Sequence, residues 1–160
     1  MSVVSAAPDG TIALDDPRAA DVLELLRRHL TFARSVTPPE DAHALEPEGL
    51  LDPAILLFGY RSDGELLAIG ALRHLDDEHA EVKSMHTVEA ARGRGIGRAM
   101  LDHLLGVARE RGYRRVSLET GAMAAFAPAR SLYLNAGFVP SEPFGDYRES
   151  RNSVYLTLAL

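Results

Sequence analysis

Between Val88 and Met100 the chain carries Arg92-Gly93-Arg94-Gly95-Ile96-Gly97-Arg98, glycines spaced by arginines just ahead of an apolar segment with helical spacing. Glycines at 93, 95 and 97 let the backbone turn sharply and leave N–H groups uncovered by side chains. The first turn of a helix has unpaired N–H donors and the positive end of the dipole, so a cation there costs about 0.3–1 kcal/mol. Arg92, Arg94 and Arg98 gather there nonetheless. A polyanion such as pyrophosphate, held among them, offsets that crowding; the plain alternative is a glycine-rich turn whose arginines extend into solvent. Two familiar nucleotide loops fit poorly. A P-loop needs lysine followed by serine or threonine, and the dinucleotide fingerprint fails because Arg98 stands where its last glycine belongs.

The elements that must position this loop follow from periodicity. Thr11–Leu14 is a strand signal, and Asp15-Asp16-Pro17 starts a helix with apolar residues at Val22, Leu25, Leu26, Leu30 and Ala33, ending before Pro38-Pro39. Glu40 to Leu51 reads as a short second helix or an ordered loop. Ile55–Tyr60 and Glu65–Leu75 form a hairpin about Ser62-Asp63-Gly64. A further strand spans about Ala80 to Val88, with Val82, Ser84 and His86 on one face and Glu81, Lys83, Met85 and Thr87 on the other. A helix from Ile96 to about Arg111, stopped by Gly112, precedes the strand Arg115–Thr120; a helix opening at Pro128 runs to Ala136, and two strand signals follow Phe138. This order predicts one α/β (α+β) domain over residues 11–160, a mixed sheet with helices on its faces, with residues 1–10 as a loose N-terminal extension.

The loop, written Arg92-x-x-Gly95-x-Gly97, resembles the (Gln/Arg)-x-x-Gly-x-(Gly/Ala) motif of the GNAT superfamily of N-acetyltransferases. The preceding strand, the long helix, Val116-Ser117-Leu118-Glu119-Thr120 and Leu132-Tyr133-x-x-Ala136-Gly137-Phe138 fall in that family's order over about Glu81 to Phe138. The N-terminal half is similar only in its order of elements. The resemblance implies a central, mostly antiparallel sheet splayed between its fourth and fifth strands, with acetyl-CoA in the wedge. It also implies that backbone groups of Met85, His86 and Thr87 pair with the pantetheine arm, while Arg92, Gly93, Arg94, Gly95, Ile96, Gly97 and Arg98 cradle the pyrophosphate.

Tyr133 falls where the family often places a tyrosine that protonates the departing thiolate, a task suited to a phenol near pKa 10; the alternative is an aromatic packed on a helix face. An acceptor amine must lose a proton before attacking the thioester, and Glu81 and Glu119, on strands flanking the wedge, are the base candidates. His86 has a suitable intrinsic pKa but is expected on the face opposite Glu81. For all three a structural role stands beside the catalytic one. Lys83, the only lysine, shares the expected face of Glu81, in a structural ion pair or bound to an acidic group of the acceptor. The polar stretch Pro143–Tyr147 with Asn152-Ser153-Val154 resembles a narrower GNAT branch of uncharacterised small-molecule acetyltransferases. It makes Asp146, Tyr147 and Asn152 acceptor-pocket candidates, bordered by Ser35, Pro38, Pro39 and His43.

Composition narrows the partners. At 160 residues, 46% hydrophobic and 25% charged, the chain suits one folded domain. A formal net charge of -6 opposes nucleic acid and anionic membranes. Absence of cysteine removes disulfides and thiolate chemistry, and no metal is expected. Without a signal-like or spanning segment the expected place is the cytoplasm. The expectation is acetyl transfer from acetyl-CoA to a primary amine of a small polar acceptor, by an enzyme that the resemblance makes a possible homodimer. The other class of function is a non-catalytic acyl-CoA-binding or regulatory module.

Overall fold

Asp63 and Gly64 take φ of 51° and 81°, so a two-residue turn of the primed type joins β3 (Ile55–Ser62) to β4 (Glu65–Asp76) as a tight hairpin. The computed structural model describes residues 9–160 together with the backbone of residues 4–7. Around this hairpin lie β1 (Val4–Ala7), β2 (Gly10–Leu14), β5 (His79–Thr87), β6 (Arg115–Gly121), β7 (Val139–Pro140) and β8 (Ser153–Ala159). They form one sheet in the order β1-β2-β3-β4-β5-β6-β8-β7. Every pairing is antiparallel except β5 with β6. The mixed, mostly antiparallel sheet expected from sequence is therefore present. Where the expected loose extension falls on described residues, Val4–Ala7 pair with β2 as an edge strand. The sequence Val4-Ser5-Ala6-Ala7 gives no alternating apolar signal by which to read this strand. The rest of that extension, residues 1–3 and 8, lies outside the described residues.

Helix α1 (Ala20–Val36) buries Val22, Leu25, Leu26, Leu30 and Ala33, the apolar stripe read from spacing. It covers one sheet face, packing with Leu57, Leu66, Ile69 and Ala71. Arg61 of β3 pins its start, reaching Asp15 at 2.9 Å and Asp21 at 2.6 Å. Between α1 and β3 the chain makes two 3-10 turns, Pro39–Asp41 and Pro47–Leu51. Helix α2 (Ile96–Glu110) sinks Met100, Leu101, Leu104 and Ala108 into the larger core on the other face, where Tyr133 of α3 (Ala127–Asn135) and Phe138 join it. Each such fully buried aliphatic side chain contributes about 1.5–3 kcal/mol by leaving water. Among the described residues, no helix is long and apolar enough to cross a membrane.

Two irregularities of β5 make the site. Its pairing with β6 covers only His79, Ala80 and Glu81, opposite Arg115, Val116 and Ser117, so the strands part beyond Glu81. The paired end is fastened by polar contacts: His79 Nε2 lies 2.6 Å from Ser117 Oγ, which is 3.0 Å from Thr157 Oγ1. The second irregularity is a bulge. Ser84 and Met85 stand opposite the single residue Gly70, with Ser84 at φ 55°.

Candidate active site

The bulge overturns part of the expected alternation. His86 pairs with Ile69 and Lys83 with Ala71, so both face α1, as does Glu81, while Met85 crosses to lie against Gly70 and Met100 on the α2 side. His86 was expected opposite Glu81 and Met85 beside it; one inserted residue reverses both. His86 instead meets His29 of α1, Nδ1 to Nδ1 at 3.2 Å. Burial lowers both imidazoles, His29 to about 4 and His86 to about 3, so the pair shares one hydrogen bond as neutral rings. Past the bulge, Met85, His86 and Thr87 lie on the side of β5 from which β6 has diverged.

The glycine loop follows directly. Gly93 and Gly95 take φ of 78° and 79°, and a Cβ at either would meet no atom within 4 Å, so both are required by backbone conformation and face open space. Gly95 is the N-cap of α2, with no side-chain cap and no acidic residue in the first turn. Arg92, Arg94 and Arg98 are exposed around these donors. Arg92 Nε donates to the Thr87 carbonyl at 3.2 Å, and Arg98 pairs with Asp102 at 3.0 Å. Ile96 is buried and anchors the helix, so it offers only its backbone to a ligand.

The wedge holds a cavity where β5, β6, α1 and α3 meet, lined by His29, Glu81, Lys83, Ser84, Glu119 and Tyr133 among others. Glu81 and Glu119 share the face turned toward α1, since Glu81 is in register with Ser117 two residues before Glu119. They differ in environment. Glu81 is buried, its Oε2 accepting from Tyr147 OH at 2.6 Å and from Lys83 Nζ at 3.2 Å, with Arg73 3.9 Å from Oε1. Glu119 is only partly buried, and burial raises its pKa to about 7 against the opposing effects of Ser153 and Lys83. Tyr133 is buried, and its phenol is raised well above the usual value, first by burial and then by the charge of Glu119.

Two loops roof this cavity. The segment after α1 brings His43, whose ring stands 5.0 Å from that of Tyr147, and Asp41, which accepts from Asn152 Nδ2 at 2.9 Å. Tyr147 also packs with Phe144 and Tyr155 at 5.0 and 5.7 Å. Lys83, Tyr147 and His43 thus come together as candidates, while Asp146 is exposed at the rim of a neighbouring cavity and Asn152 acts as a clasp. Ser35 turns back to the Phe32 carbonyl at 2.7 Å, and Pro38 and Pro39 are absent from the lining. Sequence reasoning missed His29, Asp41, Arg73 and Phe126. Only His29 carried a signal, as a histidine one residue before the buried Leu30 on the amphipathic helix. Among the described residues, no group of three or more histidines and carboxylates is placed to hold a metal ion.

A family model described as Acetyltransferase (GNAT) family matches residues 19–138. The chain belongs to the GNAT family. It is 43% identical over 149 residues to the uncharacterized N-acetyltransferase YsnE of Bacillus subtilis (strain 168), covering 93% of this chain and 99% of that one. It is 40% identical over 150 residues to the uncharacterized N-acetyltransferase YedL of Escherichia coli (strain K12), covering 94% of each. A GNAT family acetyltransferase from Elizabethkingia anophelis, whose crystal structure has acetyl-CoA bound, shares the fold with a TM-score of 0.72 at 18% identity, over 96% of this chain and 100% of that one. The GNAT match runs from the residue before α1 to Phe138 and so contains the bulge, glycine loop, Glu119 and Tyr133. Tyr147 and Asn152 lie beyond it.

Proposed function

We propose that this GNAT protein transfers an acetyl group from acetyl-CoA to the primary amine of a small polar acceptor, by direct attack in a ternary complex. The observation that carries the reading is one cavity with Glu119 near pKa 7 and a protonated Tyr133 on its walls, beside a loop of uncovered N–H groups and exposed arginines. The residues present suit the cofactor: Arg92, Arg94, Arg98 and the N–H groups from Gly93 to Gly97 would hold its pyrophosphate, and the free side of β5 at Met85, His86 and Thr87 its pantetheine arm. Bound there, acetyl-CoA supplies an acetyl group activated as a thioester.

The protein's part is proton management and orientation. A base near pKa 7 is divided between its two forms at neutral pH, the condition that suits removal of a proton from an ammonium. Tyr133 keeps its proton until charge develops on the leaving sulfur. The two roles are coupled: the ionised carboxylate of Glu119 holds the phenol proton more tightly, so neutralising Glu119 makes Tyr133 the better acid. Backbone N–H groups near Met85, at the bulge, would serve as donors to the thioester carbonyl oxygen.

Release of free thiol from acetyl-CoA, followed across a panel of amines, tests the reading. Tyr133→Phe is expected to bind acetyl-CoA as the parent does while turnover falls about 10²-fold or more. Unchanged turnover would remove Tyr133 from the mechanism. Cofactor binding with no thiol release for any amine would favour a non-catalytic acyl-CoA-binding module.

A further inference from the structure

Next to the wedge cavity lies a second one, lined by His43, Leu45, Arg73, Lys83, Phe144 and Tyr147. Glu81, Lys83, His43 and Leu45 border both, so the two share a wall. Resting on the acetyltransferase reading, we propose that the acceptor is a small amino acid with an apolar side chain, its amine at Glu119 and its carboxylate at Lys83 in this second cavity.

Lys83 is the only lysine in the chain, and its side chain is 7% exposed. A buried ammonium must satisfy three donors, and two are assigned here, to Glu81 Oε2 at 3.2 Å and Tyr147 OH at 2.7 Å. Among the described residues no third acceptor faces this ammonium, which leaves one N–H to offer a ligand at the shared wall. The charges around it point to a monoanion. Lys83 and Arg73 stand against the single buried carboxylate of Glu81, leaving one positive charge in surplus. His43 adds none at neutral pH, because burial and then Lys83 lower its pKa. Asp146, at the rim, is exposed to water and screened.

The remaining walls are apolar: Leu45, Leu75, Phe144 and the ring of Tyr147 give a side chain somewhere dry to rest. Lys83 and Glu119 both line the wedge cavity, so a small molecule seated there meets both groups. A polyamine or aminoglycoside would instead place a second cation beside Lys83 and Arg73, which repel it.

Matched acceptors test the proposal: leucine, leucinamide and isoamylamine, and likewise phenylalanine, phenylalaninamide and phenethylamine. The parent protein is expected to favour the acid over the amide and the decarboxylated amine by about ten- to a hundredfold in kcat/KM, mostly through KM, the worth of a charge-assisted hydrogen bond. In Lys83→Met that ratio is expected to fall to about one, and in Lys83→Arg to return in part. The ratio is the readout, so a general loss of activity does not imitate the result. Equal use of acid and amide by the parent, or an unchanged ratio in Lys83→Met, overturns the proposal. A second arm needs no turnover. With CoA present, N-acetyl-leucine is expected to raise the melting temperature and N-acetyl-leucinamide is not; equal shifts overturn the carboxylate site. If this difference persists while no amine releases thiol, the acetyltransferase reading fails and the carboxylate site survives.

Discussion

Two carboxylates on one face of the wedge have been given different work by their surroundings. Glu81 accepts from a phenol and an ammonium and has an arginine nearby, which ties it into a buried polar cluster. Glu119 has weaker compensation for its burial, and the resulting pKa of about 7 fits a base. The parent kcat/KM is therefore expected to rise with pH through about 7, as Glu119 loses its proton. Glu119→Gln is expected to lose that limb and about 10²–10⁴-fold of the rate; a surviving limb would assign the titration elsewhere. The same raised pKa has a stability consequence. Relative to the Gln variant, the parent is expected to lose stability as pH climbs from about 4.5 to about 7, because its folded state holds the proton that the unfolded chain releases. At this scale Glu81, Glu119 and Lys83 were singled out by residue type and strand position and Tyr133 through the family resemblance, and all four line the wedge cavity, whereas the Arg73 and Asp41 contacts depend on pairings over long sequence distances.

Among the elements, β5 departs most from its sequence pattern. Strict alternation placed Met85 with Glu81 and His86 opposite, and a single bulge at Ser84 exchanged them, bringing His86 against α1. No residue type marks that bulge, since Ser84 is not a glycine although its φ is positive. The loop that follows was legible as a turn leading into a helix, because glycine and helix periodicity act locally. Its glycines nonetheless have different reasons. Gly95→Ala, forced to keep φ near 79°, is expected to lose about 1–2 kcal/mol in denaturant unfolding. At Gly97 a Cβ would meet Leu132 at 3.5 Å, an ordinary contact, so Gly97→Ala is expected to gain up to about 1 kcal/mol from helix propensity. If both variants lost the same stability, the left-handed cap would not be what holds Gly95 in place.

In the whole molecule, the larger apolar core takes in Ala80 and Val82 of β5 and Val116 and Leu118 of β6, holding these strands together at one end, and they diverge at the other. Apart from β1, the order of strands and helices was readable from periodicity, and with the family motif it located the wedge. The roof over the acceptor side was not readable, because Asp41 meets Asn152 and His43 meets Tyr147 across most of the chain. The proposed activity requires one placement: the diphosphate of acetyl-CoA at the start of α2 and its thioester beside the bulge. A crystal structure grown with acetyl-CoA tests this most directly. The expected density has the pyrophosphate on the N–H groups from Gly93 to Gly97 and the acetyl group between Glu119 and Tyr133. Density for the ligand in another cavity, or a pyrophosphate remote from Arg92, Arg94 and Arg98, would contradict it.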